Sequence, residues 1–157
     1  MEIETNRLRI ISCTAETVET AINQNYDNGP EISNYLERLN KDSSILNWGS
    51  WMVVRKSDDT VVGDIGFKEK PDENGVVEIG YGFLKDYWNN GYATEAVEAL
   101  IKWAFSTSKV EKVIADTLQD NYGSIRVLEK LGMKKVGYTE KVIDWELSKK
   151  EKLYINN

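Results

Sequence analysis

Hydrophobic and polar positions change their spacing along the chain in an order that predicts alternating strands and helices. RLRIIS, residues 7–12, is short, rich in Leu and Ile, and predicts a strand. Residues 14–46 are polar and broken by Asn28-Gly29-Pro30, which predicts two modest helices near 16–25 and 31–39. From Ser50 the runs turn β-rich. WMVVRK, VVGDIGFKEK and VVEIGYGFL predict strands over 51–56, 61–70 and 76–84, with turn clusters at Ser57-Asp58-Asp59 and Pro71 to Gly75. A helix follows over 91–106, with Ala93, Ala96, Val97, Leu100, Ile101, Ala104 and Phe105 on one apolar stripe. KVIADTL, residues 112–118, predicts a strand, and 121–131 a helix that Gly132 terminates. Two strands near 134–138 and 141–147 close the pattern.

Short turns between consecutive strands give an antiparallel meander. The strand–helix–strand unit over 76–118 requires a right-handed crossover, so its two strands run parallel. The predicted fold is α/β: a mostly antiparallel mixed sheet with a central parallel pair and helices on both faces, in a single domain over residues 1–157. Ligands of open α/β sheets bind beyond the strand ends where the order switches. Here that place is the turn over residues 86–91.

Composition narrows the chemistry. Histidine is absent, which removes His-based general base catalysis, Ser-His-Asp hydrolysis and the common zinc ligand sets. Acid–base work therefore falls to carboxylates, tyrosines, lysines or hydroxyls, and no metal is expected. A net charge of −6 repels a phosphate backbone and draws cations, so nucleic acid is not an expected partner while a protonated amine is a mild preference. No apolar run approaches the roughly 18 residues of a membrane span, and the acidic Glu2 and Glu4 precede any apolar run, so neither membrane nor secretory signal is expected. Cys13 is the single cysteine, which fits a reducing cytoplasm and reads better as a buried strand thiol than as a nucleophile.

Three features carry candidate chemistry. In YWNNGYATEA the amides opening the helix near Gly91 lack intrahelical partners, and with the helix dipole they favour an anion. Asn89 and Asn90 tolerate the dihedrals of a tight loop and Gly91 lets a ligand approach. A solvated Asn-rich turn would look the same locally. Neither GxGxxG nor a Gly-Lys-Ser/Thr ending is present, so the Rossmann and P-loop motifs are excluded. On the preceding strand Val77, Ile79, Tyr81 and Phe83 face the core, leaving Glu78, Gly80, Gly82 and Leu84 on the other side. One carboxylate beside two glycines marks either a ligand approach or an exposed face. In DNYGSIRVLEKLGM, Asn121 is an N-cap and Ser124 lies in the first turn, on the same sheet edge as the Asn-Asn-Gly turn.

Together these residues resemble the GNAT superfamily of acyl-CoA-dependent N-acyltransferases, in the branch typified by ribosomal-protein N-terminal alanine acetyltransferases (RimJ/RimL-type). The resemblance runs from TNRLRI to KLGMKKVGY and is strongest over residues 63–105 and in the Asn121/Ser124 segment. It implies acetyl-CoA as cosubstrate, with the amides of Asn89, Asn90, Gly91, Tyr92, Ala93 and Thr94 on its pyrophosphate. The backbone of Tyr81, Gly82, Phe83 and Leu84 would pair with the pantetheine arm, Asn121 would bond that arm, and Ser124 would lie near the sulfur. The loop reads Trp88-Asn89-Asn90-Gly91-Tyr92-Ala93. Its aromatic first position looks like this branch, which often has glycine where Asn89 stands. Many members carry a tyrosine proton donor where this chain has Leu128, which shifts that role to Ser124.

The implied reaction is direct acetyl transfer to a primary amine, with Glu78 as base, the Phe83 N–H polarising the thioester carbonyl, and Ser124 protonating the thiolate. The acceptor pocket is expected between residues 14–51 and the last hairpin, where Trp48 and Trp51 either wall it or pack in the core. A protein N-terminus, a small amine and an amino-sugar antibiotic remain open as acceptors, and the active form is expected to be a monomer or homodimer. The alternative is a non-catalytic acyl-CoA-binding module of the same fold.

Overall fold

The computed structural model describes residues 1–155. Its strands are β1 (Glu2–Glu4), β2 (Leu8–Ser12), β3 (Ser50–Arg55), β4 (Thr60–Phe67), β5 (Val76–Phe83), β6 (Lys112–Leu118), β7 (Lys134–Tyr138) and β8 (Val142–Ser148). The helices are α1 (Glu19–Asn23), α2 (Glu31–Lys41), α3 (Tyr92–Ser106), α4 (Tyr122–Lys130) and α5 (Lys149–Ile155). One sheet takes all the strands in the order β1-β2-β3-β4-β5-β6-β8-β7. β5 and β6 run parallel, every other pair is antiparallel, and helices cover both faces, as the pattern predicted.

The differences are local. β1 precedes the first predicted strand and pairs with β2 from Glu2 opposite Ile11, but three residues reading EIE are too few to show a period. The first helix is shorter than predicted. Thr17 Oγ1 accepts from the Thr14 N–H at 2.8 Å and donates to Ser12 O at 2.9 Å, a hydroxyl turn that competes with helix until Glu19. The two predicted closing strands are present, yet α5 follows them, its Glu151 N–H capped by Ser148 Oγ. Of that last hairpin it is β8 that pairs with β6, along the whole of β6.

Two cores lie on opposite faces. α3 buries Ala96, Val97, Leu100, Ile101, Ala104 and Phe105 against the sheet, joined by Leu128 and Leu131 from the α4 region. Trp48 and Trp51 pack here too, with Trp103 centroids 4.9 and 5.2 Å from theirs, so both are core residues rather than pocket walls. The other face holds a smaller cluster under α1 and α2: Cys13, Val18, Ala21, Tyr35, Met52, Val54 and Val61. Removing a core side chain such as Leu100 costs about 2–5 kcal/mol.

The sheet parts in the middle. β5 and β6 pair only from Val76 opposite Lys112 to Glu78 opposite Ile114. Beyond that point β5 stays bonded to β4 as far as Phe83, and β6 stays bonded to β8 as far as Leu118. Each strand is held on its outer edge while the inner edges separate, leaving backbone polar groups that require partners.

Candidate active site

The parting is a cleft of about 280 Å³ whose lining includes Lys68, Tyr81, Asp116, Asn121, Ser124 and Val142. Along β5 the direction of the backbone groups is fixed by its bonds to β4. Glu78 O accepts from the Lys68 N–H and the Leu84 N–H donates to Val62 O, each at 3.0 Å. Strand alternation then turns the C=O of Ile79 and the N–H and C=O of Tyr81 and Phe83 into the cleft, while those of Gly82 and Leu84 face β4. Phe83 O already accepts from Trp88 Nε1 at 2.7 Å. Of the four residues expected along a pantetheine arm, Tyr81 and Phe83 are therefore the ones whose backbone groups face the cleft.

Between the C-terminal end of β5 and the start of α3 stands the Asn-Asn-Gly turn. Asn89 (φ 64°) and Gly91 (φ 78°) are both left-handed, which aims successive amides one way. Among the described residues, no N–H from position 89 to 94 donates to a protein acceptor; the first bond of α3 is Glu95 N–H to Gly91 O. These amides of Asn89, Asn90, Gly91, Tyr92, Ala93 and Thr94, at the positive end of a 15-residue helix, form a site for an anion.

The turn is braced by residues that the sequence reading treated only as strand or helix. Arg7 Nη1 donates to Asn90 O at 2.8 Å, its Nε to Glu95 Oε1 at 2.8 Å, and its guanidinium lies 4.6 Å over the Tyr92 ring. Thr5 Oγ1 donates to Glu95 Oε2 at 2.5 Å. Burial opposes ionisation of Glu95, but these donors outweigh it and hold the carboxyl below its ordinary range. Arg7 sits in the quoted TNRLRI and Glu95 in the first turn of the helix. Only the pairing of β2 beside that helix, invisible to periodicity, brings them together.

α4 enters from the other wall. Asn121 Oδ1 accepts from the Ser124 N–H at 3.1 Å, so its oxygen caps the helix while its amide nitrogen has no protein acceptor among the described residues. Ser124 lines the cleft, and Tyr81 OH donates to its carbonyl at 3.3 Å, tying β5 to α4. Leu128 is fully buried in the core and offers no proton.

Glu78 lies half-buried on the opposite face of β5. Its Oε2 is 2.6 Å from Lys68 Nζ, and this hydrogen bond raises the Lys68 ammonium above its ordinary value. Farther along that face, Asp64 is opposite Gly82. It is 8% exposed, with Tyr26 OH donating to Oδ2 at 2.5 Å and Asn28 Nδ2 at 3.5 Å. Burial raises its carboxyl above the ordinary value, Glu31 adds to the rise, and the Tyr26 and Asn28 bonds oppose it. Neither Lys68 nor Asp64 was singled out from sequence. An aspartate at an inward position of VVGDIGF was the available signal.

Comparison with known proteins gives the chain a family. Residues 7–134 match the acetyltransferase (GNAT) domain family. The uncharacterized N-acetyltransferase YjdG of Bacillus subtilis (strain 168) is 35% identical over 147 residues, covering 83% of this chain and 88% of its own. An acetyltransferase of the GNAT family from Bacillus anthracis superposes with a TM-score of 0.73 at 26% identity, covering 96% of this chain and all (100%) of that one. RimL, a ribosomal L7/L12 α-N-protein acetyltransferase solved with coenzyme A, shares the fold at a TM-score of 0.76 and 13% identity, over 96% and 98% of the two chains.

Proposed function

This chain belongs to the GNAT acetyltransferase family and is an N-acetyltransferase, and on that premise we propose that it transfers acetyl from acetyl-CoA to a primary amine, as one domain of the RimJ/RimL-like branch. The observation that carries the reading is the run of amides at residues 89–94 with no protein acceptor among the described residues, beyond the end of a β5 whose inner edge has no strand partner after the pairing at Glu78. A pyrophosphate satisfies the first and an amide-bearing pantetheine arm, lying as an added strand, satisfies the second. RimL, of the same fold, holds coenzyme A. A single buried thiol and the lack, among the described residues, of a helix long and apolar enough to cross a membrane support a cytoplasmic enzyme.

Acetyl-CoA supplies an acetyl thioester, at which a C–N bond forms and the C–S bond breaks. The residues divide the remaining work. The Phe83 N–H points into the cleft to polarise the carbonyl, Asn121 bonds the pantetheine arm, and the amides of residues 89–94, braced by Arg7, fix the register. Glu78 takes the proton of the amine, directly or through water, since an amine attacks only when neutral. Lys68 engages Oε2, and Oε1 has no protein donor among the described residues. Ser124 protonates the departing thiolate. The acceptor is a protein N-terminus or a small-molecule amine.

Calorimetry with acetyl-CoA followed by thiol release over a panel of amines and N-terminal peptides tests the proposal. Saturable binding plus acceptor-dependent thiol release is expected. Absence of binding removes the cofactor site, and binding without release to any amine removes the catalytic reading.

A further inference from the structure

Asp64, on β4, has no part in the reaction above, yet among the described residues it is the one buried carboxylate, and it lies on the sheet face that carries Glu78. Its setting is costly. Among the described residues no lysine or arginine pairs with it, and the charged group that bears on it is the like charge of Glu31. Tyr26 and Asn28 both bond Oδ2, leaving Oδ1 without a protein donor and not sealed from solvent among the described residues. Two donors on one oxygen and an open second oxygen describe a carboxylate held ready for an outside partner.

The strand between Asp64 and the cleft has two positions without a side chain on this face. Gly82, directly opposite Asp64, and Gly80, opposite Gly66, carry no side chains. A Cβ placed on Gly82 would stand 3.1 Å from Asn28 Nδ2, so the loop bearing Tyr26 and Asn28 closes directly over this floor. With strands about 4.8 Å apart, a thioester on the far edge of β5 lies about two spacings, ~10 Å, from the β4 backbone. Asp64 is thus too distant to touch the reacting nitrogen, and a group at the other end of a short acceptor would reach its open Oδ1 beside Asn28, which stands over Gly82.

We infer that Asp64, oriented by Tyr26 and Asn28, binds a second cationic group of the acceptor, so that the preferred substrate is a primary amine carrying another positive charge within about 10 Å of the nitrogen that is acetylated. This rests on the acetyltransferase reading of the cleft. It accounts for a buried carboxylate that has no ion pair among the described residues.

Three acceptors of one length and different far-end charge test it: 1,5-diaminopentane, pentylamine and 5-aminopentanoate. For the wild-type protein kcat/KM is expected to fall in that order, with the diamine about tenfold or more above pentylamine. In Asp64→Asn the diamine-to-pentylamine ratio collapses to about one, the loss appearing in amine KM, while acetyl-CoA binding by calorimetry and the melting temperature are retained. Tyr26→Phe lowers the ratio part of the way. Peptides beginning Ala-Lys and Ala-Glu, run beside them, distinguish a protein N-terminus from a free diamine as the source of the two charges. A wild-type protein that treats the three amines and two peptides alike, or an Asp64→Asn variant that keeps its ratio, overturns the inference. Failure to bind acetyl-CoA at all would instead overturn the reading beneath it.

Discussion

The two sides of β5 are built from different materials. On its cleft edge β5 offers backbone, the inward-facing groups of Tyr81 and Phe83, and the turn that follows adds six amides at residues 89–94. Toward α1 and α2 the site is side chains: Glu78 with Lys68, and Asp64 with Tyr26 and Asn28. A backbone site depends on where glycine and left-handed residues fall and on one helix start, all within a short stretch. A side-chain site depends on residues brought from positions 26 to 78, any of which can change the ligand without changing the fold. The first arrangement suits a cosubstrate common to a family, the second an acceptor that differs between its members.

If that division holds, substitutions on the two sides separate cleanly in kinetics. The largest effect is expected from Glu78→Gln, which removes the proposed base and lowers kcat by about 10²-fold or more while acetyl-CoA binding stays within about twofold. An unchanged kcat at saturating acetyl-CoA in both Glu78→Gln and Ser124→Ala would falsify the assigned roles. Next is Gly91→Val. At φ 78° a branched side chain is strained by about 1–2 kcal/mol, and its Cβ would also stand 3.3 Å from Arg7 Nη2. The Kd for acetyl-CoA is expected to weaken about tenfold, with the amine KM unmoved; a shift confined to the amine KM would merge the two sides. Arg7→Ala should act in the same direction and more weakly, up to about fivefold, because an exposed pair is worth at most about 1 kcal/mol. Calorimetry reads both.

The same division explains what was legible in the sequence. β6 and β7 occur at the predicted residues, and Asn89 and Gly91 have the left-handed backbone that their residue types allow. All of that is local information, written in period, turn residues and caps. The brace of Arg7 on Asn90 and Glu95 spans more than 80 positions and follows from β2 lying next to α3, which no window of the sequence contains. Asp64 was hidden for a related reason. In VVGDIGF it reads as one polar residue in a strand, and only the register opposite Gly82, with Tyr26 arriving from a loop, shows that it is buried. Helix α1 was overextended because the hydroxyls of Thr14 and Thr17 bond locally, a competition that hydrophobic spacing does not register.

The smallest effect on turnover, and the finest probe of the acceptor side, concerns Cys13. Its thiol is wholly buried beside Met52 and Tyr35, in the core under α1 and α2, and burial, with the Asp64 charge second, pushes it from 9.0 up to about 12. The unfolded chain sheds that proton near the ordinary value while the folded chain keeps it, so between pH 9 and about 12 the unfolded state binds fewer protons. Stability contributed by the protonated thiol is therefore complete below about pH 9 and is lost as pH rises toward 12. Cys13→Ala should be less stable at pH 8 through its small cavity, yet its melting temperature should fall less between pH 8 and about 10.5 than that of the parent chain. Turnover at pH 8 should be the same for both, and iodoacetamide should leave the native thiol unmodified, since a gap of about four units leaves ~10⁻⁴ as thiolate. Rapid modification of the native protein at pH 8 would mean that the α1–α2 face opens readily. The acceptor side would then differ from the cofactor side in rigidity as well as in material.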